Sequence, residues 1–182
     1  MKKIKGTLLK PWVIAIRANR SGGYDDFITE EDKKIVNQRI LDAAWYPYGT
    51  FKNCYNAVCK IEAKENIKVI EKWGYDYGKS VLERVYKEPM RKKELEAAIS
   101  SYNNLFKLWF NFGYQHGEII SNDEVDIFIE DFDKDFKLFY HIAKGWMHGF
   151  FEAYLDTKVM TRFIEKSWED ADKTVVKITW NT

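Results

Sequence analysis

The side chains in this sequence best suited to metal ligation or nucleophilic chemistry are three histidines, His116, His141 and His148, and two cysteines, Cys54 and Cys59. His141 and His148 are seven apart in a helical pattern, about 10.5 Å along the axis. They share a face but are too far apart for one metal ion, and that face lies opposite the aromatic stripe of the same helix, so they read as solvated or interfacial. Cys54 and Cys59 are five apart in a helical segment, about 500° of rotation, which turns them to different faces. A disulfide between them is not expected, and without nearby histidines at finger-like spacing they read as ordinary buried thiols. The carboxylate pairs Glu118 with Asp123 and Glu130 with Asp131 fall at strand ends and turns, where charged groups are normally just hydrated. There is no Gly-rich phosphate loop, nucleophile elbow or His-Glu-x-x-His helix. The chain therefore reads as a non-enzyme with no catalytic or metal-ligating set.

The aromatic content is what stands out. Aromatic residues make up 16% of the chain, with seven Trp, eleven Tyr and twelve Phe, enough to line a cavity as well as fill a core. Length and charge narrow the field further. A chain of 182 residues with 46% apolar content can bury a core as one domain, and 29 basic against 28 acidic residues leave a net charge of +1. That balance argues against electrostatic binding to nucleic acid or to a membrane surface. No apolar run approaches the roughly 20 residues of a membrane span, and Met1-Lys2-Lys3 lacks a signal-peptide core. The expectation is a cytoplasmic protein forming a single domain over residues 1–182.

The elements that must position these residues follow from periodicity. Leu8, Leu9, Trp12, Val13 and Ile16 predict a helix over Thr7–Asn19, with Pro11 in its first turn. Thr29 precedes three acids and predicts a capped second helix, whose face would be completed by Ile35, Val36, Ile40 and Leu41. A third begins at or after Pro47 and carries Phe51, Tyr55, Val58 and Cys59. A fourth runs from about Glu65 to Tyr86, before Pro89, with Gly74 and Gly78 on its packed stripe. Glycine there costs about 1 kcal/mol against alanine, which predicts that another backbone passes close. Leu95, Ala98, Ile99 and Tyr102 predict a fifth helix, and Arg91-Lys92-Lys93 reads as its exposed start.

From Leu105 the period switches to two, since Leu108, Phe110, Phe112, Tyr114 and His116 alternate with more polar neighbours, predicting a strand with an aromatic face. Ser121-Asn122-Asp123 would turn it into a second strand carrying Val125, Ile127 and Ile129. Asp133 would cap a long helix bearing Phe136, Phe139, Tyr140, Met147, Phe150, Phe151 and Tyr154. Gly145 and Gly149 stand off that stripe and predict close helix packing, with a dimer seam as the sharper version. Strands from Val159 to about Trp168 and from Thr174 to Trp180 finish the chain. The fold class is α+β: a helical part, 1–104, followed by a ββαββ antiparallel four-stranded unit, 105–182.

This order, with Lys5-Gly6-Thr7-Leu8-Leu9 and Ala43-Ala44-Trp45-Tyr46-Pro47-Tyr48-Gly49-Thr50-Phe51, resembles the superfamily of heme-nitric-oxide-binding domains, 4-vinyl-reductase domains and TRAPP vesicle-tethering subunits. Within it, the two motifs look like an uncharacterised bacterial family best represented in myxobacteria. The resemblance implies a cavity that holds a small hydrophobic or planar ligand for sensory or regulatory use. It also implies two alternatives: a heme-based gas sensor, with His141 or His148 on the iron, and a ligand-free dimeric assembly protein. The Tyr-x-Ser-x-Arg cluster that holds the heme propionates in the sensors has no counterpart in this sequence. The ligand-binding candidates are Trp45 and Tyr46, chosen through the motif, and Phe110, Phe112, Tyr114 and His116, chosen through strand alternation.

Overall fold

Gly6 sits where the chain turns from strand into helix, and any Cβ there would collide with the carbonyl oxygen of Leu41 and the Tyr46 ring. The first fold unit is built around this junction. The computed structural model describes residues 1–19, 22–85 and 95–181. Tyr86, Pro89 and Arg91-Lys92-Lys93 lie outside them. The described residues fall into two units, Met1–Asn66 with Lys107–Phe112, and Ile67–Phe106 with Gly113–Thr182.

In the first unit, strand β1 (Lys3–Lys5) leads directly into α1 (Gly6–Ala18), and a 3₁₀ turn over Tyr24–Asp26 precedes α2 (Glu30–Val36). Strand β2 (Trp45–Pro47) then leads directly into α3 (Tyr48–Ile61). Thr29 closes a capping box with Asp32, as its sequence predicts. Asp32 is almost fully buried. Burial pushes its carboxyl up, but hydrogen bonds from Asn53, Thr50 and Thr29 outweigh this and hold it below the usual carboxylate range. Helix α2 stops at Val36, so Ile40 and Leu41 do not complete its face, contrary to the expectation from sequence. Ile40 is buried from the following loop, whereas Leu41 is exposed. Leu9, Val13, Phe51, Tyr55 and Val58 form the core between α1 and α3, with Trp12 edge-on to Tyr55 at 4.8 Å.

The second unit holds α4 (Ile67–Val85), α5 (Leu95–Trp109) through Phe106, β3 (Tyr114–Ser121), β4 (Glu124–Glu130), α6 (Lys137–Leu155), β5 (Val159–Glu165) and β6 (Thr174–Trp180). The four strands form one antiparallel sheet in the order β3-β4-β6-β5. The α+β class and the ββαββ order are those read from the sequence.

Three boundaries differ. The stretch from Leu105 is not a strand, because α5 runs on to Trp109 and β3 starts only at Tyr114. The sequence Leu-Phe-Lys-Leu-Trp fits both periods, and the helix begun at Leu95 propagates through it because each added residue gains a backbone hydrogen bond. Asp133 does not cap α6; its carboxylate accepts from the amide of Asp135 and its carbonyl from Phe136, making a separate turn ahead of the helix. Strand β5 ends at Glu165, and Trp168 belongs to a 3₁₀ turn over Ser167–Glu169.

The centre of this unit is the crossing of α4 and α6. A Cβ on Gly74 would strike the carbonyl oxygen of Ile142 and come within 2.8 Å of the Trp146 amide. One on Gly78 would strike the carbonyl of Trp146. Gly145 and Gly149 return the fit, facing the carbonyls of Glu71 and Tyr75. The close backbone predicted for Gly74 and Gly78 is therefore α6. By the same geometry, the face of Gly145 and Gly149 expected at a dimer seam is filled by the chain's own α4.

Candidate functional site

The two stretches that carry the family resemblance are one structure. Strand β1 pairs antiparallel with β2, setting Lys5 opposite Trp45 and Ile4 opposite Tyr46. The Lys5 ammonium lies 4.1 Å from the centre of the Trp45 ring, and donates to the carbonyl of Ala43 at 2.7 Å. The Tyr46 hydroxyl accepts the amide of Leu41 at 2.9 Å. The amides of Gly6 and Thr7 donate to the carbonyls of Ala44 and Asp42. Trp45 and Tyr46 thus have structural work: they hold the loop that tops α1 against the first strand. Trp45 keeps 41% of its surface exposed.

Phe110 and Phe112 belong to the same unit. Phe110 forms an isolated antiparallel bridge with Ile4 and is buried. Phe112 meets it edge-on at 5.7 Å, packs against Tyr48 at 4.8 Å and carries the Lys2 ammonium at 4.9 Å. Tyr114 and His116 lie in the second unit on β3. The expected alternation of Phe110, Phe112, Tyr114 and His116 along one strand face does not form, because the first two precede the strand.

Within β3 the buried face belongs to the other parity. Gln115 is buried, its side chain bonded to the Tyr102 hydroxyl. A Cβ on Gly117 would meet Ile127 and Ile99 side chains at 2.9–3.1 Å, and the Gly117 amide donates to Asn103 of α5 at 3.0 Å. Tyr114 and His116 therefore occupy the sheet face turned away from α5. There His116 lies parallel to Phe128 at 4.7 Å, with Tyr114 on its flank at 5.2 Å and the Lys173 ammonium 4.5 Å from the Phe128 ring. His116 Nε2 is 3.2 Å from a Glu118 oxygen. Nδ1 is buried, makes no hydrogen bond and stands 3.8 Å from Glu130. The sequence reading passed over Phe128 as a partner, although a hairpin closing at Ser121 and Glu124 sets His116 opposite it.

The helix-covered face is packed with rings. Tyr102 is fully buried, 5.5–5.8 Å from Trp146, Phe150 and Phe151, and burial holds its hydroxyl well above the usual range. Both cysteines are buried and free; burial pushes each thiol up to about 12, so neither is a ready nucleophile or thiolate ligand.

His141 and His148 flank the glycine crossing. His141 Nδ1 is 2.8 Å from a Glu71 carboxylate oxygen, which also takes the Lys144 ammonium at 2.8 Å. Burial raises Glu71, but the hydrogen bonds from His141 and Lys144 hold it below the usual carboxylate range. His148 Nε2 is 3.3 Å from Glu152, whose other oxygen accepts the Tyr75 hydroxyl. Sequence reasoning found the imidazoles but not these acids, which lie on the opposite helix or one turn away.

No protein-family model matches the chain, and no curated protein matches it. Solved structures do. An H-NOX protein from S. oneidensis in the Fe(II)NO ligation state superposes with a TM-score of 0.64 at 12% identity, covering 98% of this chain and 99% of that one. An H-NOX structure that probes heme distortion gives 0.57 at 12% identity over 98% and 95%. Subunit 3 of the trafficking protein particle complex from Naegleria fowleri, covalently bound to palmitic acid, gives 0.54 at 16% identity over 72% and 93%. The chain has the fold of these H-NOX structures and of the trafficking subunit, in line with the resemblance read from its sequence.

That fold raises the question of heme, and an axial ligand is the first requirement. His141 fits poorly. Its ring is edge-on to Phe163 at 5.3 Å and 5.8 Å from Trp168, and those two rings touch each other at 5.0 Å. The His141 imidazole is thus part of an aromatic cluster, and a ligand reaching it would have to displace those rings. His148 spends Nε2 on Glu152 and stacks edge-on to Tyr75 at 5.2 Å, while His116 lies between Tyr114 and Phe128. Among the described residues there is also no cluster of three metal-ligating side chains, and no helix is long and apolar enough to cross a membrane.

Proposed function

We propose that this chain is a non-enzymatic sensory or regulatory domain that binds a small hydrophobic or planar ligand and passes its occupancy to a partner. The observation that carries this reading is the likeness over nearly the full length of both chains to the S. oneidensis H-NOX protein, a ligand-bearing structure. The palmitate-bearing trafficking subunit adds to it: two neighbours on one fold hold chemically unrelated small ligands. Affinity would come from apolar burial against aromatic side chains, with two separate sets of positions to probe, Trp45, Tyr46, Phe110 and Phe112 in the first unit and Tyr114 and His116 on β3 of the second. Native mass spectrometry of freshly purified protein, followed by organic extraction, tests this. A stoichiometric small molecule is expected. Protein of bare polypeptide mass, with no compound raising its melting temperature in a lipid and aromatic screen, would refute it. The same spectrum reports whether the chain is a homodimer.

A heme-based gas sensor is the second reading, favoured by the Fe(II)NO state of the S. oneidensis neighbour and opposed by the surroundings of the three imidazoles. It predicts a Soret band in protein expressed with heme precursor. Colourless protein from heme-replete cells counts against it.

A further inference from the structure

We infer that the three histidines of this chain are fastening groups, each spent on a carboxylate or a ring stack, and that the fold is used here for a ligand other than an imidazole-held iron porphyrin. The inference rests on the ligand-binding reading and narrows it to apolar molecules held without a metal–imidazole bond.

The sequence contains three histidines and two cysteines, and the structure describes all five. The cysteines are excluded by burial and by thiols held up to about 12. A Nδ1 contact to a carboxylate, such as His141 makes with Glu71, is also the arrangement that orients an imidazole toward a metal. What decides the matter is the rest of the His141 ring. It is boxed by Phe163 and Trp168, and Trp168 is in turn 4.8 Å from Tyr140. The ring is only 13% exposed, and the Lys144 ammonium stands over Phe163 at 5.2 Å. With Nδ1 spent on Glu71 and two aromatic rings within 5.3 and 5.8 Å of it, the His141 imidazole is packed as an interior side chain, and a porphyrin beside it would have to displace these neighbours.

The positive role is plain from the pairing. Glu71 of α4 receives His141 and Lys144 of α6, while Glu152 of α6 receives Tyr75 of α4 and its own His148. The carboxylate contacts run in both directions across the crossing, as the glycine contacts do. His141 joins α6 to α4 through Glu71, His148 meets α4 through its edge-on contact with Tyr75, and His116 links Glu118 and the Phe128 ring on the sheet.

The test is a hemin titration of the unmodified full chain, followed in the Soret region in the ferric state and after reduction, beside melting curves for His141→Gln and His148→Gln without heme. The expected result is no saturable one-to-one spectrum, with the His141 variant melting about 2–6 °C lower because the hydrogen bond to the Glu71 carboxylate is lost. A sharp Soret band saturating at one heme per chain and abolished by one histidine substitution would overturn the inference. So would His141→Gln and His148→Gln that both melt like the parent. Organic extraction separates this from the broader reading. A metal-free apolar compound supports both, whereas an empty extract with no hemin binding defeats the ligand reading while leaving the fastening role to the melting data.

Discussion

The α-carbon of Gly145 lies directly against the peptide carbonyl of Glu71, so close that a Cβ built there would stand 3.0 Å from the Glu71 α-carbon and collide with the oxygen. Replacing a helical glycine with alanine normally stabilises by about 1 kcal/mol. Here the obstacle is backbone, which cannot swing aside as a side chain can. Gly145→Ala is expected to destabilise by about 1–3 kcal/mol despite the propensity gain, read as a lower urea midpoint. Gly49→Ala is the control: nothing lies within 4 Å of its Cβ position in α3, so it should be neutral or stabilise by up to about 1 kcal/mol.

Acid stability should carry the signature of Glu71. Its carboxyl is held below the ordinary value of 4.5. A group lowered on folding contributes stability fully above its unfolded value and loses it as pH falls through the folded one. Urea unfolding of the parent and Glu71→Gln should therefore differ most above the ordinary carboxylate value of 4.5 and draw together as pH falls below it. A gap that widens with acid would contradict the pairing with His141 and Lys144.

Cys54 and Cys59 should be silent toward a thiol reagent at pH 8 in the folded protein and react fully in denaturant, since both are buried with thiols raised to about 12. Stoichiometric labelling without denaturant would show that α3 opens.

Tyr102→Phe keeps the ring packing and removes only the hydroxyl that meets Gln115, leaving a buried amide short of a partner. The expected cost is about 1–2 kcal/mol. Tyr102→Phe paired with Gln115→Leu should recover part of it, because replacing both polar partners removes the unpaired group; a double variant no better than the single would place the cost elsewhere.

The sequence is informative wherever a local rule and the tertiary packing agree. Thr29 with Asp32, the glycines of α4 and the alternation of Val125, Ile127 and Ile129 each announce the structure they form. The region from Leu105 to His116 misleads because its apolar residues satisfy both periods, and the choice depends on a helix nucleated ten residues earlier. Strands β1 and β2, three residues each, have no period to detect and form through pairing with distant segments, β1 with β2 and with Phe110. Candidate-site residues suffered the same way. Of the four residues expected on one strand face only Tyr114 and His116 share β3, and which sheet face they occupy is decided by Gln115 reaching Tyr102 and by Gly117 lying against Ile99. Neither is visible from alternation, which distinguishes two faces without saying which is inside.

The hydrogen bond from the Gly117 amide to Asn103 has a consequence for how the molecule behaves in a crowd. Strand β3 ends the sheet, and a bare border of main-chain donors invites a stranger's strand to zip onto it. With that amide occupied by a side chain from the helix behind it, a newcomer would have to evict Asn103 before it could continue the ladder, and the border is blunted at its midpoint.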